Sequence, residues 1–410
     1  MRIGVPNFDG RRLKQARLVR GLYKNKLAEA VGITPQIVGK YEDGTHKPTH
    51  EVLGKLSEVL CLDTAFFTTP TKYDDAGHVF WRKRSAETKA ARECTEQRMV
   101  WAAEVFEELS DLVEFQTDNP PDLDFPRDYR LTTMSEIEGM ALRFRQELGF
   151  GKGPIPNMTL LLENIGIPVV FLDVHSDKQD GFQWFAERIG TQFVGVNTRS
   201  STACRVRFDL AHELAHILLH RAVQPNEARS PASHSMLEKQ ANYFAGALLF
   251  PADSFFSEVS YASLDYFLSL KRKWGVSVSG MIERAFALGF ITKEERTDLH
   301  RKSAQRGWRG LGRLEPMDND MKTDEPRLMK KGFDLVVSNG ILSRTELRAA
   351  LPIPDSELEA IVGLRDGELA SYFKESDNIR VLPIRQSVPT NDLPRDGKVL
   401  PFRKSVTEPR

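Results

Sequence analysis

Arg207-Phe208-Asp209-Leu210-Ala211-His212-Glu213-Leu214-Ala215-His216-Ile217-Leu218-Leu219-His220 is the stretch on which the reading of this chain turns. Its apolar residues recur at helical spacing, which predicts one amphipathic helix carrying H-E-x-x-H. Two histidines four residues apart share a helix face, so both imidazoles reach one metal ion, with Glu213 beside the ion's open position. His212 and His216 are therefore candidate ligands and Glu213 a candidate general base, as in a metallopeptidase. An ordinary surface glutamate would have no reason to stand between them.

A catalytic zinc takes three protein ligands and keeps a fourth position open. Three residues compete for the third place. Residues 237–251 predict a second amphipathic helix stopping at Pro251, with Glu238 in its first turn, where the helix dipole also favours an acid. His234 falls in the loop just before it. His220 lies about 12 Å beyond His212 along continuous helix and suits a local cap or hydrogen bond better. Asn242, one turn after Glu238, can orient that glutamate or bridge to the histidine helix. Tyr243 and His234 are the candidate oxyanion donors.

Upstream, helices are predicted over 136–148 and 160–165, the latter ended by Gly166, and strands over 167–172, 181–185 and 192–197. A small sheet before the histidine helix offers an extended edge to which a substrate can add as a strand.

The first seventy residues form short amphipathic helices. Thr34 is suited to cap one whose first residue is Pro35, running over 36–42 and ended by Asp43-Gly44, so the pattern is helix, glycine turn, helix. This segment holds eleven Lys and Arg against seven Asp and Glu, a local excess inside a chain whose formal net charge is zero.

A long amphipathic helix is predicted over 83–114; packing on the peptidase and pairing in a homodimer both fit it. Arg82-Lys83-Arg84-Ser85 beside Trp81 reads as a phosphate contact or as a solvated helix start. A proline-rich break follows at 118–126. Farther on, Trp274-Gly275-Val276-Ser277-Val278 reads as a strand-like turn before a helix at 281–285, and 318–325 as an acidic linker. Short helices follow over 328–351 and 355–364, one of them capped by Ser343, before a Pro, Arg and Asp-rich tail without the composition of a packed core.

With 410 residues, two or three domains are expected. Three scattered cysteines, Cys61, Cys94 and Cys204, suit a reducing cytoplasm rather than a disulfide framework; Cys204, eight residues before His212, is a candidate redox group. The N-terminus lacks the apolar core of a signal peptide, and no apolar run approaches the ~20 residues of a span. Export and a membrane partner are not expected.

Leu27-Ala28-Glu29-Ala30-Val31-Gly32-Ile33-Thr34, with Ile37, Tyr41-Glu42-Asp43-Gly44 and Pro48, resembles the helix-turn-helix of the XRE (Cro/repressor-like) family. The resemblance implies double-stranded operator DNA as a partner, with Thr34, Gln36, Gly39 and Lys40 at base edges and Lys47 near phosphate; Gln36 can pair bidentately with adenine. Residues 207–220, followed by Glu238-x-x-Ala241-Asn242-x-Phe244-Ala245-x-x-Leu248-Leu249-x-Pro251, resemble the ImmA/IrrE metallo-endopeptidases. That resemblance implies Zn2+ as cofactor, Glu238 as third ligand, Glu213 as general base, and as substrate a protein, typically a transcriptional repressor of a mobile-element, stress or defence locus.

The expected architecture is multidomain and mainly α: an all-α helix-turn-helix domain (1–70), a helical connector (71–133), an α+β zincin-like metallopeptidase domain with a small sheet (134–300), a small helical C-terminal domain (318–385) and a disordered tail (386–410). The expected function is a DNA-binding, cytoplasmic zinc endopeptidase that regulates transcription. The alternative is a non-proteolytic XRE-type regulator or antitoxin-like protein whose zinc domain senses a ligand or binds a partner.

Overall fold

The computed structural model describes residues 4–73, 79–81, 88–115, 123, 128–173, 181–199, 202–223, 227, 230–310 and 313–373. The basic stretch 82–85, nearly all of the proline-rich break and the tail from 386 lie outside them.

Four helices come first: α1 (Gly10–Val19), α2 (Lys24–Val31), α3 (Pro35–Glu42) and α4 (His50–Leu60). Asp9, Thr34 and Thr49 cap α1, α3 and α4 through side-chain oxygens, and Pro35 takes the first position of α3 as its fixed φ allows. Gly32, at φ 77°, supplies the left-handed residue that lets α2 stop and the chain turn into α3. This is the expected helix-turn-helix.

A short strand, β1 (Val79–Trp81), then precedes α5 (Lys89–Ser110), which Thr88 caps. Met99, Val100, Trp101, Ala102, Ala103 and Val105 are all buried, so the middle of α5 is enclosed on every side rather than along one stripe. The Trp101 ring meets Phe66 edge-on at 5.6 Å, and Phe106 meets Phe193 of the sheet at 5.4 Å. The helix expected to pack on the peptidase or to pair with a second copy is the hub of a core within the chain.

The remainder comprises α6 (Met134–Glu147), α7 (Met158–Asn164), β2 (Val169–Leu172), β3 (Gly181–Ala186), β4 (Thr191–Asn197), α8 (Ala203–Leu219), α9 (Pro231–Leu249), α10 (Ala252–Glu258), α11 (Leu264–Trp274), α12 (Val278–Ala287), α13 (Lys293–Gln305), α14 (Leu328–Ser338), α15 (Arg344–Ala350), α16 (Asp355–Val362) and α17 (Leu369–Tyr372). The strands form one sheet in the order β1-β3-β4-β2, with β1 and β4 antiparallel to β3 and β2 parallel to β4. Three of these strands were expected; β1 was not.

Alternation along the strands divides the protein. Phe182, Trp184 and Phe193 join a hydrophobic cluster with the helix-turn-helix, α5 and the helices from α14 onward. Val169, Val194 and Val196 join a second cluster with the helices α6 to α13. Where β3 faces β4, the Phe182 ring fills the place of a side chain at Gly195: a Cβ there would lie 2.1 Å from it.

Three expectations are corrected. Residues 318–325 are no slack linker, because two of their acids are bound: Asp318 accepts from Lys271 Nζ at 2.5 Å, and Asp324 accepts from Arg207 at 2.6 Å and from the Met158 backbone N–H at 2.9 Å. The turn at 274–278 has no strand character, since Gly275 ends α11 at φ 64° and Ser277 caps α12. The helices after 327 share the core of the first cluster instead of forming one of their own; Phe115 packs directly over Gly332. Among the described residues, no helix is long and apolar enough to cross a membrane.

Candidate metal centre

Thr202 caps the start of α8, and His220 stands at its C-terminal cap. The partner helix α9 begins earlier than the sequence suggested, because Ser230 caps it and Pro231 takes its first position. His234 is therefore on the helix and not in a loop. Glu238 lies two turns inside α9 rather than in its first turn, so the helix dipole does not account for it.

Close packing of α8 on α9 brings three of the predicted residues together. His212 Nε2 and His216 Nε2 are 3.1 Å apart; Glu238 Oε1 is 3.4 Å from His216 Nε2, and Glu238 Oε2 is 3.6 Å from His212 Nε2. Among the described residues this is the group of His, Cys, Asp and Glu able to hold a metal ion. His234 is not in it, and neither is His220.

Hydrogen bonds fix which nitrogens converge. Asn242 donates from Nδ2 to the Glu238 carbonyl at 2.7 Å, which leaves its Oδ1 facing His212 Nδ1 at 3.2 Å. His212 Nδ1 then carries the ring proton, and Nε2 carries a lone pair. His216 Nδ1 lies 2.8 Å from His220 Nδ1, and His220 Nε2 lies 3.1 Å from Gln240 Oε1. Burial, then the neighbouring His216, drops the His220 pKa to about 3, so that ring is neutral.

Two nitrogen lone pairs and a carboxylate aimed at one point repel one another unless a cation lies between them. The separations suit a metal: two ligands ~2.05 Å from a tetrahedral centre stand ~3.3 Å apart.

Glu213 is 2% exposed, behind the donors. Gly181, at the start of β3, makes room for it, since a Cβ there would approach Glu213 Oε1 to 3.1 Å. The sheet was expected to offer an open edge to a substrate strand; the edge of β3 is paired to β1 over Phe182–Trp184, and Gly181 lies just past that pairing.

A cleft of about 1640 Å³ is lined by, among others, Glu238, Asn242, Tyr243, Arg284, His300 and Trp308. Burial first, then Glu138, raises the Tyr243 phenol, which stays a neutral O–H under the Arg284 guanidinium 5.5 Å away. Burial pushes the Cys204 thiol up to about 12, which removes the thiolate that redox chemistry needs.

In the helix-turn-helix, Thr34, Gln36, Lys40 and Lys47 are exposed and Gly39 is half-buried, although the Thr34 hydroxyl is engaged in capping α3. The charge excess needs correction. Arg12 is buried against Glu104 at 2.7 Å, Arg17 against Glu42 at 2.5 Å, and Arg20 bonds the Leu60 carbonyl. Those cations hold the core, while Lys40 and Lys47 have no ion pair among the described residues.

Residues that sequence reasoning missed are Gly181, Gln240 and Tyr129, whose backbone carbonyl accepts from Gln240 Nε2 at 2.7 Å. Only the glycine opening a strand left a signal.

Comparison with known proteins finds a family match for two segments of the chain. Residues 162–286 match the IrrE N-terminal-like domain (Peptidase_M78), and residues 13–67 match the helix-turn-helix family HTH_3. An SPbeta prophage-derived uncharacterized HTH-type transcriptional regulator, YonR of Bacillus subtilis, is 40% identical over 62 residues, covering 15% of this chain and 57% of that protein. An uncharacterized HTH-type transcriptional regulator of Sinorhizobium medicae is 34% identical over 68 residues, 17% of this chain and 49% of the relative. The chain thus spans about half the length of the curated relatives it matches. A solved Mycobacterium tuberculosis transcriptional regulator aligns over 38% of this chain and 50% of its own, with 22% identity and a TM-score of 0.28, too low to equate the folds.

Proposed function

We propose, for a chain carrying an XRE-type helix-turn-helix domain at 13–67 and an IrrE/ImmA-like Peptidase_M78 domain at 162–286, that it is a DNA-binding zinc endopeptidase that regulates transcription by cleaving a repressor or other regulatory protein. The observation that carries this reading is the convergence of His212 Nε2, His216 Nε2 and Glu238, with buried Glu213 next in the chain to His212 and Glu238 lining a cleft of about 1640 Å³. His212, His216 and Glu238 would hold the zinc, which when bound supplies Lewis acidity and an open coordination position. Glu213 takes the proton of the attacking water as it adds to the peptide carbonyl, then returns it to the departing amine. Its burial beside Gly181 keeps bulk water from competing for that proton. We take Tyr243, neutral and on the cleft wall, as the donor to the developing oxyanion.

DNA binding brings this chemistry to a locus. Gln36 and Lys40 project from α3 and Lys47 follows it, with Thr34 and Gly39 at the same face, in the positions a major-groove helix uses. The helix-turn-helix relatives support a regulator that binds DNA.

The test is Glu213→Gln against the parent in cells that carry the neighbouring repressor genes. Full-length repressor accumulating and its target staying silent only in the variant is the expected result. Equal derepression by both proteins would leave the non-proteolytic regulator as the correct reading.

A further inference from the structure

We infer that Gln240 and His220 are positioning residues that hold the His216 ring proton on Nδ1, so that His216 offers its Nε2 lone pair to the metal. This rests on the metal reading above. Gln240 Nε2 donates to two backbone carbonyls, Tyr129 at 2.7 Å and Thr132 at 3.3 Å. Carbonyls cannot donate, so the amide cannot flip, and Oε1 must face His220 Nε2 at 3.1 Å as an acceptor. His220 therefore carries its proton on Nε2 and presents a bare Nδ1. The atom 2.8 Å from that lone pair is His216 Nδ1, which can only be the donor.

The order of protons along this chain is thus set by two main-chain carbonyls in the short segment before α6. Reversing any link would place a proton on His216 Nε2, 3.1 Å from His212 Nε2, and remove it as a ligand. Buried polar residues at a helix end could serve packing alone; three aligned bonds, each with a single permitted direction, are more than packing requires. Asn242 holds His212 in the same tautomer from the other side of α9.

Proton–nitrogen correlation NMR on the metal-free, histidine-labelled full chain above neutral pH reads each tautomer directly. The expected result is a proton on Nδ1 of His216 and on Nε2 of His220. His220→Phe should move the His216 proton largely to Nε2 and lower zinc affinity about 10–100-fold in competition with a chromophoric chelator. His220→Gln, whose amide can accept from His216 and donate to Gln240, should restore both. A parent His216 protonated on Nε2, or unchanged zinc affinity in a folded His220→Phe protein, would overturn the relay. Should His220→Phe not fold, the parent tautomers and Gln240→Met decide on the same readouts. Expected tautomers in a parent that takes up no zinc would instead refute the metal reading alone.

Discussion

Two groups of polar residues, one on each side of the sheet, are put together in opposite ways. On the helix-turn-helix side, Arg12 meets Glu104, Arg17 meets Glu42 and Arg98 meets Glu357 at 3.1 Å. On the metallopeptidase side, His212, His216 and Glu238 turn atoms of the same kind, all electron-pair donors, toward one point. Paired charges complete themselves and specify structure. Converging donors are complete only with something that is not protein, which is the physical mark of a binding site.

Removing one member should therefore have opposite consequences in a paired group and in the converging one. Glu104→Ala strands Arg12 in a core and should cost about 3–5 kcal/mol in urea unfolding, because breaking a buried pair leaves an uncompensated charge. An unaffected midpoint would erase the distinction. Lys271 is a case of complete pairing on the far side, fully buried between Glu315 at 2.9 Å and Asp318 at 2.5 Å, and Lys271→Met should cost about 2–3 kcal/mol. Burial opposes its charge, but the hydrogen bonds to Asp318 and Glu315 outweigh burial and raise its pKa above the ordinary 10.5. A raised folded pKa means that this stabilisation is whole below pH 10.5 and fades as pH climbs through the folded value, so alkaline unfolding should begin there in the parent and be blunted in the variant.

Glu238→Ala should change the stability of the metal-free protein by less than about 1 kcal/mol, since it removes a repelling donor, while abolishing zinc binding in dialysis and metal analysis. Retention of one zinc per chain would return His234 to candidacy. The smallest effect is expected at Lys47, where alanine should lower the slope of log affinity against log salt for nonspecific DNA by about 1. A slope equal to the parent's would place Lys47 away from phosphate.

Much of this was legible in the sequence because it is local. The spacing of His212 and His216 and the cap-and-proline start of α3 each rest on a few neighbouring residues. The start of α9 obeys the same rule through Ser230-Pro231 and could have been found by it, which would have put His234 on the helix at once. Glu238 needed the family resemblance, because from residues alone three ligands competed. What could not be read is long-range: Arg12 and Arg20 counted as DNA-facing charge because Glu104 and the Leu60 carbonyl are remote in sequence. Nothing near Gln240 indicates that its amide is oriented by Tyr129 and Thr132.

The pairing of Arg98 with Glu357 spans 259 positions. The core around α5 begins with α1, yet its last wall, α16, is made only after all the metal-site helices have left the ribosome. Until then the apolar surface of α5 stays partly uncovered, so during synthesis the DNA-binding half, although first in the chain, is the last to be finished.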